Sequence, residues 1–121
     1  MTQTIPKTLW SARLEDFTHR NAGRRAILEV DDPDFGAQLA VDYPLWGISY
    51  DAVCDQVEVM FSDFRDLRCH MTHAVRKARS IELMREQGRD EVLRIVGEGG
   101  EQTLLRLVSP VAPVADVAAR F

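Results

Sequence analysis

A chain of 121 residues with 45% hydrophobic and 28% charged residues has the size and composition of one globular domain. Its formal net charge of −4 argues against a dedicated nucleic-acid binder, which normally carries a basic excess. Its apolar runs are too short to cross a membrane, and its first residues lack the apolar core of a secretory signal. We therefore predict one soluble, cytoplasmic domain of bacterial type over residues 1–121, with its core at about 5–108.

The clearest local signal is an N-terminal amphipathic helix. Pro6 suits a first helical turn, where its missing N–H would have no partner in any case. Trp10, Leu14 and Phe17 follow at spacings of four and three, which places them on one helical face. Gly23 follows the predicted helix and suits a left-handed cap. This face is predicted to pack on a sheet formed by the rest of the chain.

From residue 25 onward the pattern is that of strands separated by short turns. Apolar and polar residues alternate most regularly at 57–62, and 91–96 and 102–108 are predicted to form a hairpin. Short turns leave no room for parallel crossovers. The predicted class is therefore α+β, a helix packed on an antiparallel meander of about five to seven strands. Bends at Pro44 and Gly47 favour either a curved open sheet or a small Sm-like or SH3-like barrel.

The C-terminal residues 109–121 differ in amino-acid composition from the rest of the chain. They are small and mostly apolar, with prolines at 110 and 113. Two interpretations stay open for them, a short helix from about Pro113 or a loose tail.

The chain contains two cysteines and three histidines, residue types that occur in metal and catalytic sites. Cys69, His70 and His73 form a C-H-x-x-H pattern within a predicted strand. On a strand the two histidines point to opposite faces, while Cys69 and His73 lie roughly 13 Å apart, too far to share a zinc ion or a proton. The strand geometry therefore predicts no metal and no cofactor. Because two cysteines in a cytosolic chain are more often free thiols than a bridge, we also predict free thiols at Cys54 and Cys69. His70 and His73 remain a candidate polar site.

A local basic stretch runs against the overall acidic charge. Arg76, Lys77 and Arg79 lie close together, with Arg65 and Arg68 shortly before them. Such a cluster suits an anionic ligand or partner surface, and we take the first three residues as the candidate binding site. The structural alternative is a solvated edge that blocks aggregation. Acids folded nearby could also neutralise the cluster, and the candidates are Asp31, Asp32 and Asp34.

The order of several short segments resembles a small bacterial family known only as a domain of unknown function. The segments are IPKTLW, followed by a helix, AILEVDD, LWGISYD, QVEVMF, and HMTHAV followed by a charged hairpin, and the match covers roughly residues 5 to 108. The resemblance implies no substrate, cofactor or catalytic residue, because the family carries no established activity.

Taken together, these features favour a non-enzymatic interaction or regulatory module. It would recognise an anionic protein or ligand surface, and a homodimer through a sheet edge is left open. One alternative is a nucleic-acid-binding Sm-like barrel, which the acidic charge disfavours. The other is a small enzyme or metal site around His70 and His73, which strand geometry disfavours.

Overall fold

A computed structural model describes residues 1–63, 65 and 68–108, apart from the side chains of residues 38–40 and 69. The two interpretations of the tail at 109–121 thus lie outside the described residues. In chain order the elements are β1 (Thr2–Ile5), a 3-10 turn (Lys7–Leu9), α1 (Trp10–Asn21), β2 (Arg25–Asp32), β3 (Gly36–Asp51), β4 (Gln56–Ser62), β5 (Cys69–Arg76), β6 (Ser80–Glu86), β7 (Arg89–Val96) and β8 (Gln102–Leu107).

The strands form one antiparallel sheet in the order β1-β6-β7-β8-β2-β3-β4-β5. The predicted α+β class, with the helix packed on an antiparallel sheet, is confirmed. The sheet is open, since β1 and β5 stand at its two ends, so of the two predicted forms the barrel is not adopted. The eight strands exceed the predicted number, and the order is not a simple meander. The strand β1 adds an edge beside β6, and β2 lies between β8 and β3.

The long strand β3 joins two halves of the sheet. Its first part pairs with β2 as far as Pro44, and its second part pairs with β4 from Leu45 onward. We predicted a bend at Pro44 because proline cannot donate to a strand ladder, yet β3 continues through Tyr43 and Pro44. The register shifts just beyond them, between Leu45 and Gly47. The proline therefore marks a change of partner strand rather than the end of a strand.

The apolar face of α1 is buried, as its spacing predicted. Trp10, Leu14 and Phe17 are at most 1% exposed and belong to a core cluster that includes residues from both halves of the sheet. The indole N–H of Trp10 donates to the Ile5 carbonyl at 2.9 Å, which joins the helix to the end of β1. Gly23 adopts φ +88°, the predicted left-handed cap.

The helix also satisfies backbone groups of β3 beyond the change of partner. The Thr18 hydroxyl accepts the Ile48 N–H and donates to the Ile48 carbonyl, both at 2.9 Å. A Cβ at Gly47 would lie 3.0 Å from Thr18 Cγ2, so glycine permits this close approach. Among the described elements, no helix is long and apolar enough to span a membrane.

The burial of Phe17 predicts a large stability loss on truncation. We expect Phe17→Ala to lower the free energy of unfolding by about 3–5 kcal/mol, because it removes a fully buried ring and leaves a cavity. Urea unfolding measures this change. The control Glu15→Ala, on the exposed side of the same helix, should change stability by less than about 0.5 kcal/mol. Equal effects of the two substitutions would contradict the packing described.

The contact between Thr18 and β3 gives a second prediction. Thr18→Val keeps the size of the side chain but removes the hydroxyl, leaving the Ile48 N–H and carbonyl without that partner. We expect a loss of about 1–3 kcal/mol in urea unfolding. Thr18→Ser keeps the hydroxyl and should lose clearly less. A valine variant as stable as the wild type would contradict a role for the hydroxyl in holding the helix to the strand.

Candidate functional site

The predicted cationic residues lie in the connection between β5 and β6, which we call the basic loop (Arg76–Arg79). Lys77 adopts φ 51°, and its N–H donates to the Asp55 carbonyl at 2.7 Å. The Arg79 N–H donates to the Val96 carbonyl, also at 2.7 Å, and Ala78 is buried. The backbone is therefore fixed at three successive residues, while the three cationic side chains are exposed.

The charge of the basic loop is not neutralised by ion pairs within the described part of the chain. None of its three cations lies within 4.0 Å of a described carboxylate. The predicted neutralisers Asp31, Asp32 and Asp34 therefore make no ion pair with it. The acid whose backbone it contacts, Asp55, is already engaged by the Tyr50 hydroxyl at 2.7 Å and Lys7 Nζ at 3.1 Å.

These contacts shift the pKa values of two side chains in the neighbouring turn between β3 and β4. Hydrogen bonds from Tyr50 and Lys7 hold the pKa of Asp55 below its usual value, and the charge of Lys77 contributes to the same shift. The exposed Cys54 is a free thiol, and its hydrogen bond to Asp51 raises the pKa of that thiol. Because the thiolate is the reactive form, this shift makes Cys54 a poor nucleophile.

The two histidines of the candidate polar site are not brought together as a pair of ligands. His73 lies opposite the buried Val59 and is half-buried, and burial lowers its pKa, so it is neutral at pH 7. His70 is exposed, with its ring 6.1 Å from that of Tyr43. A register shift leaves His70 without a strand partner in β4. The part of the chain that the structure describes holds no group of three or more residues able to bind a metal.

A cluster that sequence reasoning missed surrounds Asp90, whose side chain is 2% exposed. We call it the Asp90 clasp, and its members are Arg20, Asn21, Arg24, Arg85 and Asp90. The carboxylate accepts hydrogen bonds from Arg20 Nε at 2.9 Å and Asn21 Nδ2 at 2.7 Å. Arg85 Nε forms an ion pair with it at 2.9 Å. The buried Arg24 donates to the Asp90 carbonyl at 2.7 Å and to Asn21 Oδ1 at 3.0 Å.

The clasp is a structural site rather than a reactive one. Burial pushes the pKa of Asp90 up, but hydrogen bonds from Arg20 and Asn21 and the charges of Arg20 and Arg85 outweigh burial, so the net pKa is lowered. The ionised carboxylate thereby joins the end of α1 to the β6–β7 hairpin. The sequence carries no signal for this cluster, because its members lie as far as 70 residues apart in the chain.

The sheet also carries a concavity of 530 Å³, whose lining includes both apolar and charged side chains. Two ion pairs cross this region, Arg94 with Glu82 and Arg106 with Glu29. The charged side chains that the structure describes in this lining are therefore already paired with one another or with Glu29. The lining residues are Thr2, Glu82, Met84, Val92, Arg94, Gln102, Leu104 and Arg106.

Comparison with known proteins shows which family the chain belongs to. The model of the family of unknown function DUF5335 matches residues 1–115. The chain belongs to the DUF5335 family. The predicted resemblance to a family of unknown function is thus confirmed. An uncharacterized protein of Aquifex aeolicus (strain VF5) is 28% identical to this DUF5335 member over 116 residues, covering 95% of this chain and 98% of the relative. No solved structure matches this DUF5335 member.

The Asp90 clasp predicts a strong and pH-dependent contribution to the stability of this DUF5335 member. We expect Asp90→Asn to lower the free energy of unfolding at pH 7 by about 1.5–3 kcal/mol, because it removes the buried, charged acceptor that Arg20, Asn21 and Arg85 share. The folded pKa of Asp90 lies below its unfolded value of about 3.9. The stabilisation is therefore present above pH 4 and is lost as the pH falls through the folded pKa. Urea unfolding at several pH values measures it.

The control for this prediction is Asp42→Asn. Asp42 also pairs with an arginine, Arg25, at 2.7 Å, but its side chain is 39% exposed against 2% for Asp90. This substitution should cost less than about 1 kcal/mol at pH 7. If the difference between wild type and Asp90→Asn stayed constant from pH 7 to acid, the carboxylate would not be the group that stabilises the clasp.

Proposed function

We propose that this DUF5335 member is a non-enzymatic binding module that takes an acidic segment of a partner protein on the basic loop. The observation that carries the proposal is the set of three exposed cations, Arg76, Lys77 and Arg79, without an ion pair among the described residues. A backbone fixed by main-chain hydrogen bonds presents them, so little backbone entropy is lost when a partner binds.

The charge distribution supports this choice of partner. The chain as a whole has a formal net charge of −4, so a cluster of like cations stands out against an acidic background. Like charges repel one another over a screening length of about 10 Å at 0.1 M salt, and an anionic partner relieves that repulsion. A long nucleic acid would extend beyond the basic loop, where the net negative charge of the rest of the chain repels its phosphates. A short acidic protein segment can stay within the loop and is therefore favoured over a long polyanion.

The chemistry of the described residues gives less support to an enzyme. The exposed thiol of Cys54 has a raised pKa, and His73 faces the core rather than a cleft. The ionised Asp90 is enclosed by hydrogen bonds and guanidinium groups that stabilise its charge. A general base or nucleophile needs a reactive form within reach of a substrate, and none of these groups offers that combination.

The test compares two variants that lose the same amount of charge. In the loop variant Arg76→Ser and Arg79→Ser are combined with Lys77→Asn, because asparagine tolerates a positive φ. Binding of a labelled oligo-glutamate peptide is measured by fluorescence anisotropy at low and physiological salt. We expect the loop variant to bind roughly tenfold more weakly, since three surface charge contacts at about 0.5 kcal/mol each are lost. The difference should shrink as salt rises.

The charge-matched control replaces Arg13, Arg89 and Arg106 by serine, which removes three cations that lie outside the basic loop. It should bind the peptide nearly as well as the wild type does. Equal binding by wild type and the loop variant would exclude the loop as the site. A labelled DNA duplex that binds more tightly than the peptide, with the same dependence on the loop, would replace the proposal with nucleic-acid binding.

A further inference from the structure

The basic loop shares one end of the sheet with the end of β2 and the turn that follows it. This segment holds three aspartates, and we call it the acidic turn (residues 31–34). In the strand registers Asp31 of β2 pairs with Gln102 of β8. Gln102 also pairs with Val96 of β7, which pairs with Ser80 of β6, the residue after the basic loop. The two segments are therefore three strand spacings apart, roughly 14 Å at about 4.8 Å per spacing.

The end of β7 and the turn after it lie between the two segments. On one side the Arg79 N–H donates to the Val96 carbonyl at 2.7 Å. On the other side a Cβ at Gly100, in the turn between β7 and β8, would lie 3.6 Å from Pro33 Cγ, which places the acidic turn beside it. The basic loop and the acidic turn thus lie on either side of one turn.

The acidic turn presents its carboxylates at the surface. Asp31 and Asp34 are exposed, and Asp32 is partly exposed. Asp32 Oδ1 accepts the Asp34 N–H at 2.8 Å, which helps to fix the shape of the turn. Within the part of the chain that the structure describes, none of the three carboxylates lies within 4.0 Å of a cation. Three carboxylates without such an ion pair therefore share one end of the sheet with the three cations of the basic loop.

We propose that the acidic segment bound by the basic loop is the acidic turn of a second copy of this chain. This inference rests on the proposed function and names its partner. Because both segments lie at the same end of the sheet, a two-fold axis between them places each basic loop against the acidic turn of the other copy. Both contacts then form in one closed dimer, and each contact brings three cations to three carboxylates.

The strength of this dimer follows from the kind of contact that holds it. Exposed ion pairs are individually weak and are screened by salt. We therefore expect a dimer that forms at high protein concentration and low salt and that dissociates as salt rises. The oligo-glutamate peptide should also dissociate it, because the peptide occupies the same basic loop.

The test reverses the charge of one segment at a time. The loop-reversal variant combines Arg76→Glu with Arg79→Glu and keeps Lys77, whose φ is positive. The turn-reversal variant combines Asp31→Lys with Asp34→Lys. Each variant alone brings like charges together at both contacts of the dimer. In sedimentation equilibrium at low salt, we expect each to raise the dissociation constant of the dimer by at least about tenfold over wild type.

Mixing the two variants restores opposite charges. The unchanged acidic turn of the loop-reversal variant meets the unchanged basic loop of the turn-reversal variant, and the second contact pairs the two reversed segments. With one variant labelled, fluorescence-detected sedimentation should show that they bind each other more tightly than either binds itself. If both are folded by circular dichroism and still do not bind each other, these charges do not hold two copies together.

A control for net charge combines Glu15→Lys with Asp16→Lys. Both residues are exposed on α1, and the control changes the charge of the chain by the same amount as the turn-reversal variant. It should dimerise nearly as well as the wild type does. A control that dimerises as poorly as the turn-reversal variant would assign the effect to net charge and overturn the inference.

The outcomes separate this inference from the proposed function. If the wild type stays monomeric while the oligo-glutamate peptide still binds through the basic loop, the proposed function stands and its partner is a different protein, so the inference is overturned. If the wild type dimerises but the turn-reversal variant dimerises equally well, the dimer uses another surface and the inference is also overturned. If neither the peptide nor a second copy depends on the basic loop, both proposals fail.

Discussion

Beyond Pro44 the strand β3 has β4 on one side, and its backbone groups on the other side need partners. The helix α1 and its cap provide them. The Thr18 hydroxyl pairs with both backbone groups of Ile48, and Leu45 exchanges hydrogen bonds with the Gly23 N–H and the Arg24 carbonyl. Unpaired buried backbone groups are costly, so this requirement fixes where the helix lies on the sheet. The buried face of α1 then follows from its position.

The Asp90 clasp joins the C-terminal end of α1 to the sheet. Arg20 and Asn21 belong to the last turn of α1, and Asp90 lies at the start of β7. The basic loop meets the other end of β7, where Val96 accepts the Arg79 N–H. Val96 lies six positions after Asp90 along the strand, a distance of about 20 Å at about 3.4 Å per residue. Clasp and loop are thus too far apart for the carboxylate of one to neutralise the cations of the other.

Local patterns predicted the parts of the fold whose causes are local. The spacing of Trp10, Leu14 and Phe17 defined the buried helical face, and Gly23 marked its cap. The short strand β1 was missed because TQTI carries no periodic apolar signal, and β6 defines it through pairing. Pro44 was interpreted as a bend because a proline cannot donate to a ladder, but it lies where β3 changes its partner strand.

The two sites also differ in whether a local sequence pattern predicts them. Arg76, Lys77 and Arg79 are close in sequence, so a charge count found them, and the structure adds that described acids leave them unpaired. The Asp90 clasp requires residues of α1, of the segment after it and of the β6–β7 hairpin to meet, and no pattern in the chain encodes that meeting.

The two sites also differ in what holds them. Main-chain hydrogen bonds and the buried Ala78 fix the basic loop, so its cationic side chains contribute little to its shape. The clasp is the reverse case, because side chains make its contacts and burial makes each of them costly to lose. Substitutions in the loop should therefore change binding while stability is nearly constant, and substitutions in the clasp should change stability first. This separation is what allows a loss of peptide binding in a loop variant to be attributed to the cations themselves.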